Sequence, residues 1–273
     1  MTDPDPTVLV TGSSSGLGRA TAHRFRDAGW TVYATARDPA DAVGLADRGC
    51  HTPALDVTDD AAVSRVVGEA AADGLDCLVN NAGFGQYGPV EDVPTDRLAR
   101  QFDVNVAGPH RLCRAALPHL RECEGTIVTL SSLAAHAPFP GAGAYCASKA
   151  AVEAHHDALR GELSAAAGVD VVLVEPGFTR TDYYETAERT LSAVAGPESP
   201  YGGLYEHLET LADMGPRLFG SEPEAVADVI ADAAEAGDPD ARYPVGTDAR
   251  LILLSRLLPD RVRDRLDRLV YGW

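Results

Sequence analysis

The sequence predicts an α/β fold of the doubly wound kind, one parallel sheet with helices on both faces. Runs that are apolar at almost every position alternate along the chain with Ala-, Leu- and Arg-rich stretches of helical spacing. A strand without polar alternation is buried on both faces, which a parallel sheet covered by helices requires. The length of 273 residues and the 45% hydrophobic composition suit one large core. We therefore expect residues 1–273 to form a single domain.

The elements follow from these runs in chain order. Strands are predicted at 7–11, 31–35, 51–57, 75–81, 125–132, 169–176 and, as a short run, 241–245. Helices are predicted at 17–28, 59–72, 95–121, 144–166 and 222–236. Segment 178–220 breaks the alternation with Gly, Pro, Tyr and Leu, which predicts a substrate lid, with disorder as the alternative. The amphipathic tail, 249–271, is expected to be helical and to pack on the core or on another subunit rather than on a membrane.

The charge excludes several classes of partner. The chain carries 41 Asp and Glu against 23 Lys and Arg, a formal net charge of −18. Such a surface repels nucleic-acid phosphates and anionic lipid heads, so neither is an expected partner. The acidic shell serves either solubility alone or a high-salt habitat. We favour the high-salt interpretation because Lys149 is the only lysine in the chain.

The cysteines and the N-terminus bear on the compartment. The five cysteines show no CxxC pair and no spacing typical of a metal site, which indicates reduced thiols and no bound metal. The first residues, MTDPDPT, lack a signal-peptide pattern, and no apolar run has membrane-spanning length. We expect a cytoplasmic protein.

A glycine-rich turn, TGSSSGLG, joins the first strand to the first helix. Gly12, Gly16 and Gly18 permit a tight turn and close approach of the backbone to a pyrophosphate at the helix N-terminus. A turn of this composition alone is weak evidence, but the flanking strand and helix favour a dinucleotide site.

Polar residues follow later strands at the edge where ligands bind in open parallel sheets. Asp56 comes at the predicted end of the third strand, and Asn80, Asn81 and Gly83 follow the fourth. Each alone is an ordinary turn residue or cap. Together they indicate one crevice.

A third group follows the fifth strand. Ser132 comes at its end, and Tyr145 and Lys149 are spaced i, i+4, which places phenol and ammonium on one helix face. A nearby cation favours phenolate and lowers a tyrosine pKa, as a general acid/base for an alcohol–carbonyl pair requires. A lone Y-x-x-x-K is more often an ordinary helix surface. Here it contains the one lysine of the chain and follows a nucleotide site.

These motifs, in this order, resemble the short-chain dehydrogenase/reductase family over about residues 7–182: TGSSSGLG, LDV, NNAG, the Asn of DVNVAG, SS before Y-x-x-x-K, and EPGFTRT. The segments NNAGFGQYGPVE and VYATARD are similar to the 17β-hydroxysteroid dehydrogenase-like branch. The resemblance implies a Rossmann fold, hydride transfer between nicotinamide and an alcohol/carbonyl pair, and a homodimer or homotetramer.

The resemblance also implies residue roles. Tyr145 would transfer the proton, while Lys149 would lower the pKa of Tyr145 and bind the nicotinamide ribose. Ser132 would polarise the substrate oxygen, and Asn105 would hold a water that links Lys149 to solvent. The expected cofactor contacts are Gly12, Ser14, Ser15, Gly16, Leu17, Gly18, Asp56, Val57, Asn81, Gly83, Tyr145, Lys149, Pro176, Gly177, Thr179 and Thr181.

The cofactor is expected to be NADP(H) rather than NAD(H). NAD enzymes place an acidic residue at the end of the second strand, where this chain has Ala36 followed by Arg37, and a guanidinium suits a 2′-phosphate. Asp38 takes the acidic role if the register differs by two. Tyr and Leu residues of the lid predict a medium-sized apolar substrate, unless they form a small core of their own: Tyr183, Tyr184, Leu191, Tyr201, Leu204, Tyr205 and Leu208.

Two alternatives to this enzyme remain. One is a dinucleotide-sensing module without catalysis, which the complete Asn105, Ser132, Tyr145 and Lys149 set disfavours. The other is an epimerase or dehydratase of nucleotide sugars, which the glycine spacing and the short C-terminal part disfavour.

Overall fold

The six strands form one parallel sheet. The computed structural model describes residues 5–166, 168–196, 198–246, 249, 253 and 258–271. The strands are β1 (Thr7–Val10), β2 (Thr31–Ala34), β3 (Leu75–Asn80), β4 (Thr126–Leu130), β5 (Asp170–Pro176) and β6 (Arg242–Val245). They lie in the order β2-β1-β3-β4-β5-β6, and every pair is parallel. The predicted single-domain α/β fold is confirmed.

The helices cover both faces of the sheet. They are α1 (Gly16–Asp27), α2 (Val43–Ala46), α3 (Asp60–Ala71), α4 (Thr95–Phe102), α5 (Gly108–Cys123), α6 (Gly143–Ala166), α7 (Tyr183–Ser192), α8 (Gly202–Phe219), α9 (Pro223–Glu235) and α10 (Asp260–Tyr271). Short 3₁₀ turns occupy Pro39–Ala42 and Leu133–Ala135. Every helix in the described part of the chain falls short of what a bilayer crossing requires in length or in apolar content.

Burial on both faces explains the apolar strands. In β1, Val8 and Val10 belong to the core cluster that contains α1 and α9 residues, whereas Leu9 belongs to the cluster under α3 and α5. Successive side chains of a strand point to opposite faces, so both clusters draw on the same strand. The absence of polar alternation in β1 therefore follows from its central place in the sheet.

The strand order reverses between β1 and β3. From β1 the chain moves outward to β2, and it then returns to the other side of β1 to form β3. The loops that leave the carboxyl ends of β1 and β3 diverge at this point and leave a crevice, which is where ligands bind in such sheets. The glycine turn follows β1, and Asn81 and Gly83 follow β3, so the fold brings them together.

The predicted strand at 51–57 is wrong. This segment runs beside β2 but makes only isolated bridges, Tyr33 with His51 and Ala36 with Ala54. His51 N donates to Val32 O at 2.8 Å and Leu55 N donates to Ala36 O at 2.9 Å. Pro53 lies between these bonds and has no N–H, so it interrupts the ladder.

Two helical predictions also change. The predicted helix 95–121 is broken by a π-helical turn at Asp103–Ala107 between α4 and α5. The described residues of the predicted lid, 178–196 and 198–220, contain α7 and α8 and do not support the alternative of disorder. The predicted tail, 249–271, contains α10, and its residues 250–252 and 254–257 lie outside the described residues.

Candidate active site

A cavity of about 1190 Å³ opens at the carboxyl edge of the sheet. This is slightly above the usual range of small-molecule sites, about 300–1,000 Å³. The structure brings these residues of the predicted set to its wall: Gly12, Ser14, Ser15, Gly16, Leu17, Gly18, Arg37, Asp56, Val57, Asn81, Gly83, Ser132, Tyr145, Lys149, Pro176, Gly177, Thr179 and Thr181. Asn105 is the member of that set that does not line the cavity.

The glycine turn is packed too tightly for side chains. A Cβ on Gly18 would lie 2.2 Å from Gly12 O, and a Cβ on Gly12, where φ is +72°, would lie 2.8 Å from Ala82 Cα. Thr11 Oγ1 accepts from Asn81 N and Ala82 N, each at 3.0 Å, which fixes the loop after β3 against the turn. Only glycine permits this approach of two backbones.

The N-terminus of α1 is free to bind an anion. Ser15 is its N-cap residue but makes no side-chain capping bond, and no acidic residue occupies the first turn. Unpaired N–H groups and the helix dipole at such a terminus favour a phosphate group. The turn and the terminus therefore fit the pyrophosphate of a dinucleotide.

The Asn81 side chain lines the cavity and also hydrogen-bonds the backbone of the glycine turn. Its Nδ2 donates to Thr11 O at 2.8 Å and to Gly12 O at 3.0 Å. Asn80, which the sequence placed in the same crevice, is instead buried beneath it and donates to Thr129 Oγ1 at 3.1 Å. That prediction is wrong because adjacent residues of β3 point to opposite faces.

The residues after β2 differ in their contacts. Arg37 is exposed and lines the cavity, and Ala36 is buried beside it. Asp38 is absent from the cavity wall, and its Oδ1 accepts from Ala40 N at 2.9 Å as the N-cap of the following 3₁₀ turn. The Asp38 carboxylate therefore caps the 3₁₀ turn that follows it.

Asp56 is fixed by its own turn. Its Oδ1 accepts from Thr58 N at 2.9 Å and from Thr58 Oγ1 at 2.7 Å. Burial acts to raise its pKa, but the Thr58 bonds and the charges of Arg100 and Arg37 outweigh burial, so the pKa lies below its usual value. The side chain is a stable carboxylate at the cavity wall.

Ser132, Tyr145 and Lys149 meet at the inner end of the cavity. Ser132 follows β4 and caps the short 3₁₀ turn, where its Oγ accepts from Ala134 N at 3.2 Å. Its hydroxyl also lies near enough to the Tyr145 phenol to act on the pKa of that phenol. Lys149 Nζ lies 6.0 Å from the centroid of the Tyr145 ring and donates to Leu130 O at 2.6 Å. One phenol, one hydroxyl and one ammonium therefore face the same space.

Burial sets the direction of both pKa shifts. It raises the pKa of Tyr145, and the neighbouring hydroxyls of Ser132 and Tyr183 act in the opposite direction. It lowers the pKa of Lys149 to about 8, while the charge of Glu153 opposes this. The lowered tyrosine pKa that the sequence predicted is not found in the structure, because desolvation of the phenol dominates.

Asn105 braces the loop after β3. It lies on the π-helical turn, its Oδ1 accepts from Phe84 N at 3.1 Å, and its Nδ2 donates to Phe84 O at 2.9 Å and Ser148 Oγ at 3.2 Å. A π-turn often marks a functional site, because it re-aims one side chain within a helix. The role of Asn105 in holding a water stays a prediction.

The aromatic wall was only partly predicted. Tyr183 and Tyr184 line the cavity, whereas Leu191, Leu204, Tyr205 and Leu208 form a separate small core with Tyr201 packed against it. Tyr87, Phe139 and Phe178 also line the cavity and were missed. The ring centroids of Tyr87 and Tyr183 lie 5.8 and 5.9 Å from that of Tyr145. Tyr87 follows β3 at the ligand edge, and that position was the available signal.

Known proteins are similar in sequence to this chain. Residues 6–192 match the family model described as short chain dehydrogenase. An uncharacterized oxidoreductase of Escherichia coli, YbbO, is 37% identical over 95% of this chain and 93% of its own. The NADPH-dependent 3-dehydrocapnine reductase of Ornithobacterium rhinotracheale is 35% identical over 94% of each chain.

Solved structures agree with these relatives. A short-chain dehydrogenase from Streptomyces avermitilis superposes with a TM-score of 0.78 at 33% identity, over 96% of this chain and 95% of that one. Structures from Burkholderia phymatum with NAD and Burkholderia cenocepacia with NADP share the fold at TM-scores of 0.79 and 0.76, with 24% and 23% identity and at least 97% of each chain covered.

A doubly wound sheet with this glycine turn and these relatives defines a dinucleotide-dependent oxidoreductase that acts on CH–OH groups. The chain belongs to the short-chain dehydrogenase family.

Proposed function

We propose that this chain is an NADP(H)-dependent oxidoreductase that interconverts an apolar ketone or aldehyde and its alcohol, within the 17β-hydroxysteroid dehydrogenase-like branch. The observation that carries the proposal is that Ser132, Tyr145 and the buried Lys149 line one aromatic-walled cavity together. Turnover of carbonyl compounds by purified protein with NADPH tests it. A protein that binds the dinucleotide yet reduces no carbonyl compound would support the sensing module instead.

The chain's own residues supply the proton chemistry. When bound, the nicotinamide cofactor supplies or accepts the hydride. Tyr145 would donate its phenolic proton to the substrate oxygen during reduction, and Ser132 would hydrogen-bond the same oxygen. Because burial raises the pKa of Tyr145, the phenol is protonated near neutral pH, which suits an acid in carbonyl reduction. Lys149 as a cation would stabilise negative charge that develops on the phenol.

The cofactor preference rests on the contacts after β2. Arg37 faces the cavity, where a guanidinium can pair with a 2′-phosphate, whereas Asp38 caps a local turn. An acidic residue available to a ribose 2′-hydroxyl would favour NAD, and Asp38 is engaged elsewhere. The NADPH dependence in the name of one relative is consistent with this assignment.

We expect Arg37→Ala to raise the KM for NADPH by roughly tenfold or more and to leave the KM for NADH nearly unchanged. A hydrogen bond to a charged group contributes about 1.5–3 kcal/mol, and only NADPH carries the 2′-phosphate. Initial rates with each cofactor give both constants. Asp38→Ala is the matched control and should leave the ratio unchanged. A wild-type preference for NADH would contradict the assignment.

The substrate class follows from the wall near Tyr145. The rings of Tyr87, Tyr183, Tyr184, Phe139 and Phe178 enclose this part of the cavity. Among the charged residues of the rim, Arg100 lies 3.7 Å from Asp56 and 3.8 Å from Asp103, so acidic partners offset its charge. An apolar substrate would gain contact with the rings without leaving a buried charge unpaired.

For a series of straight-chain ketones we expect kcat/KM to rise by roughly fourfold per added methylene until the cavity is filled. Burial of one CH₂ contributes about 0.8 kcal/mol, which corresponds to that factor. Steady-state assays of the series against phosphorylated sugars measure the preference. If the sugar phosphates are the better substrates, the arginines at the rim bind an anionic group and the apolar assignment is wrong.

A further inference from the structure

A buried ionic network lies directly behind Lys149. Arg242 Nη2 lies 3.0 Å from Glu153 Oε2 and 2.7 Å from Asp157 Oδ2, and its Nε lies 3.2 Å from Glu175 Oε1. His136 Nε2 lies 3.1 Å from the same Glu175 oxygen. The side chains of Glu153 and Glu175 are only 8% and 1% exposed. A charge buried this deeply lowers the stability of the fold unless an opposite charge or a hydrogen bond compensates it. The positions of these partners are therefore constrained.

The network connects α6 and β5, which both contribute residues to the cavity wall, with β6. Glu153 lies on α6, one helical turn beyond Lys149 and on the same face. Glu175 lies on β5 next to Pro176, which lines the cavity, and Arg242 begins β6. A movement of Glu153 would therefore be transmitted to the helix turn that carries Lys149.

The two oxygens of Glu153 differ in their contacts. Oε2 accepts from Nε and Nη2 of Arg242 at 3.2 and 3.0 Å, which holds the carboxylate in place. Oε1 is buried and has no hydrogen-bond partner among the described residues, and His136 Nε2 lies 3.9 Å from it. The negative charge of this oxygen is thus only partly offset by Arg242, and Glu153 follows Lys149 by one turn on the same face of α6.

We propose that Glu153 is a positioning residue for Lys149: its carboxylate, held by Arg242, keeps the buried lysine side chain in the charged form. The proposal rests on the proposed function, in which Lys149 acts as a cation beside Tyr145. Burial lowers the pKa of Lys149 to about 8, and the Glu153 charge is the influence that acts in the opposite direction. Without that carboxylate the same burial would favour the neutral amine at neutral pH.

Other groups around Lys149 do not replace this anion. Besides Lys149 and Glu153, the titratable and charged groups on α6, on the elements packed against it and in the network are Asp96, Arg97, Arg100, Asp103, His136, Tyr145, Cys146, His155, His156, Asp157, Arg160, Glu162, Asp170, Glu175 and Arg242. Burial raises the pKa of Tyr145 and Cys146 and lowers the pKa of His156 to about 4, so all three are neutral at pH 7. Asp103 is paired with Arg111 at 2.8 Å.

Glu175 is the remaining carboxylate of the network. Burial raises its pKa, and its Oε1 is held by His136 at 3.1 Å and Arg242 at 3.2 Å. Two different side chains contact Glu175, whereas the hydrogen bonds of Glu153 come from Arg242 and leave Oε1 unpaired, so the charge of Glu175 is more fully compensated. We therefore expect loss of the Glu153 charge to change the protonation of Lys149.

The sequence makes a direct measurement possible. Lys149 is the only lysine in the chain, so protein labelled with [¹³Cε]lysine gives one side-chain resonance. Its chemical shift reports the protonation of Lys149 as the pH is raised, and it does so without turnover. In wild-type protein we expect a titration midpoint near 8. A protein without activity on any carbonyl compound would count against the proposed function and would leave this measurement intact.

Glu153→Gln should move the midpoint down by roughly one pH unit, the size of effect that loss of a nearby opposite charge produces. Glu153→Asp keeps the charge but withdraws it by one methylene, so its midpoint should fall between those of Glu153→Gln and wild type. Asp157→Asn is the matched control. It removes another Arg242 partner two turns from Lys149, at a side chain 41% exposed, and should leave the midpoint unchanged.

The kinetic readout should agree with the titration. Loss of the Lys149 proton would slow the reduction of the carbonyl substrate. The fall of kcat/KM at high pH should therefore begin at a lower pH in Glu153→Gln, and at the wild-type pH in Asp157→Asn. If Glu153 only held β6 against α6, Glu153→Gln would lower the free energy of unfolding. The titration midpoint of Lys149 and the pH at which kcat/KM falls would both stay unchanged. An unchanged or raised midpoint in Glu153→Gln overturns the proposal. If that variant does not fold, a Glu153→Asp midpoint equal to that of wild type overturns it.

Discussion

Lys149→Arg should lower kcat/KM by about 10²–10⁴-fold while the protein stays folded, since general acid/base catalysis contributes about that much. The charge is preserved, so the loss would come from geometry. Lys149 is 9% exposed, and its Nζ donates to Leu130 O at 2.6 Å. The planar guanidinium fork is wider than an ammonium and cannot occupy the same place beside Tyr145. Steady-state kinetics at saturating cofactor, with circular dichroism to verify folding, measure the effect.

Tyr145→Phe serves as the comparison. It should cost at least as much activity while cofactor affinity is retained, because the ring remains and only the proton-transferring hydroxyl is lost. Fluorescence titration with NADPH separates binding from proton transfer in both variants. A folded Lys149→Arg enzyme that works within a few-fold of wild type would show that the position requires only a positive charge.

Gly18→Ala should reduce NADPH affinity by about 10–100-fold and lower the free energy of unfolding by about 1–3 kcal/mol. The added Cβ would lie 2.2 Å from Gly12 O and 2.5 Å from Asn81 Nδ2, so the glycine turn must shift away from the α1 N-terminus. Both the phosphate-binding N–H groups and the Asn81 bonds would be displaced. Denaturant unfolding and cofactor titration measure the two effects.

Gly68→Ala is the matched control for this substitution. Gly68 lies on α3, and no atom lies within 4 Å of an added Cβ. Alanine in an exposed helix interior is favoured over glycine by roughly 0.5–1 kcal/mol, so this variant should be slightly more stable and should bind NADPH normally. Normal cofactor binding by Gly18→Ala would mean that the turn does not hold the pyrophosphate.

The sequence by itself determined the sheet and the location of the site. Strands buried on both faces are continuously apolar, and this pattern is local, so five of the predicted runs coincide with β1 to β5. Short motifs with fixed spacing placed Gly12, Asn81 and Ser132 after the ends of successive strands. Because parallel strands share one carboxyl edge, the order of the motifs was enough to predict a common cavity.

The tertiary structure alone decided what each side chain experiences there. Because Pro53 has no N–H, the apolar run at 51–57 makes only isolated bridges with β2. Asp38 accepts a hydrogen bond from Ala40 N, which holds its carboxylate away from the cavity. The direction of the Tyr145 pKa depends on burial, which comes from residues of β4, α6 and α7 together. Glu153 and Arg242 are 89 residues apart in the chain yet share a hydrogen bond. The burial of a side chain and the electrostatic potential around it depend on neighbours from distant segments of the chain. A local sequence pattern does not show which segments come into contact.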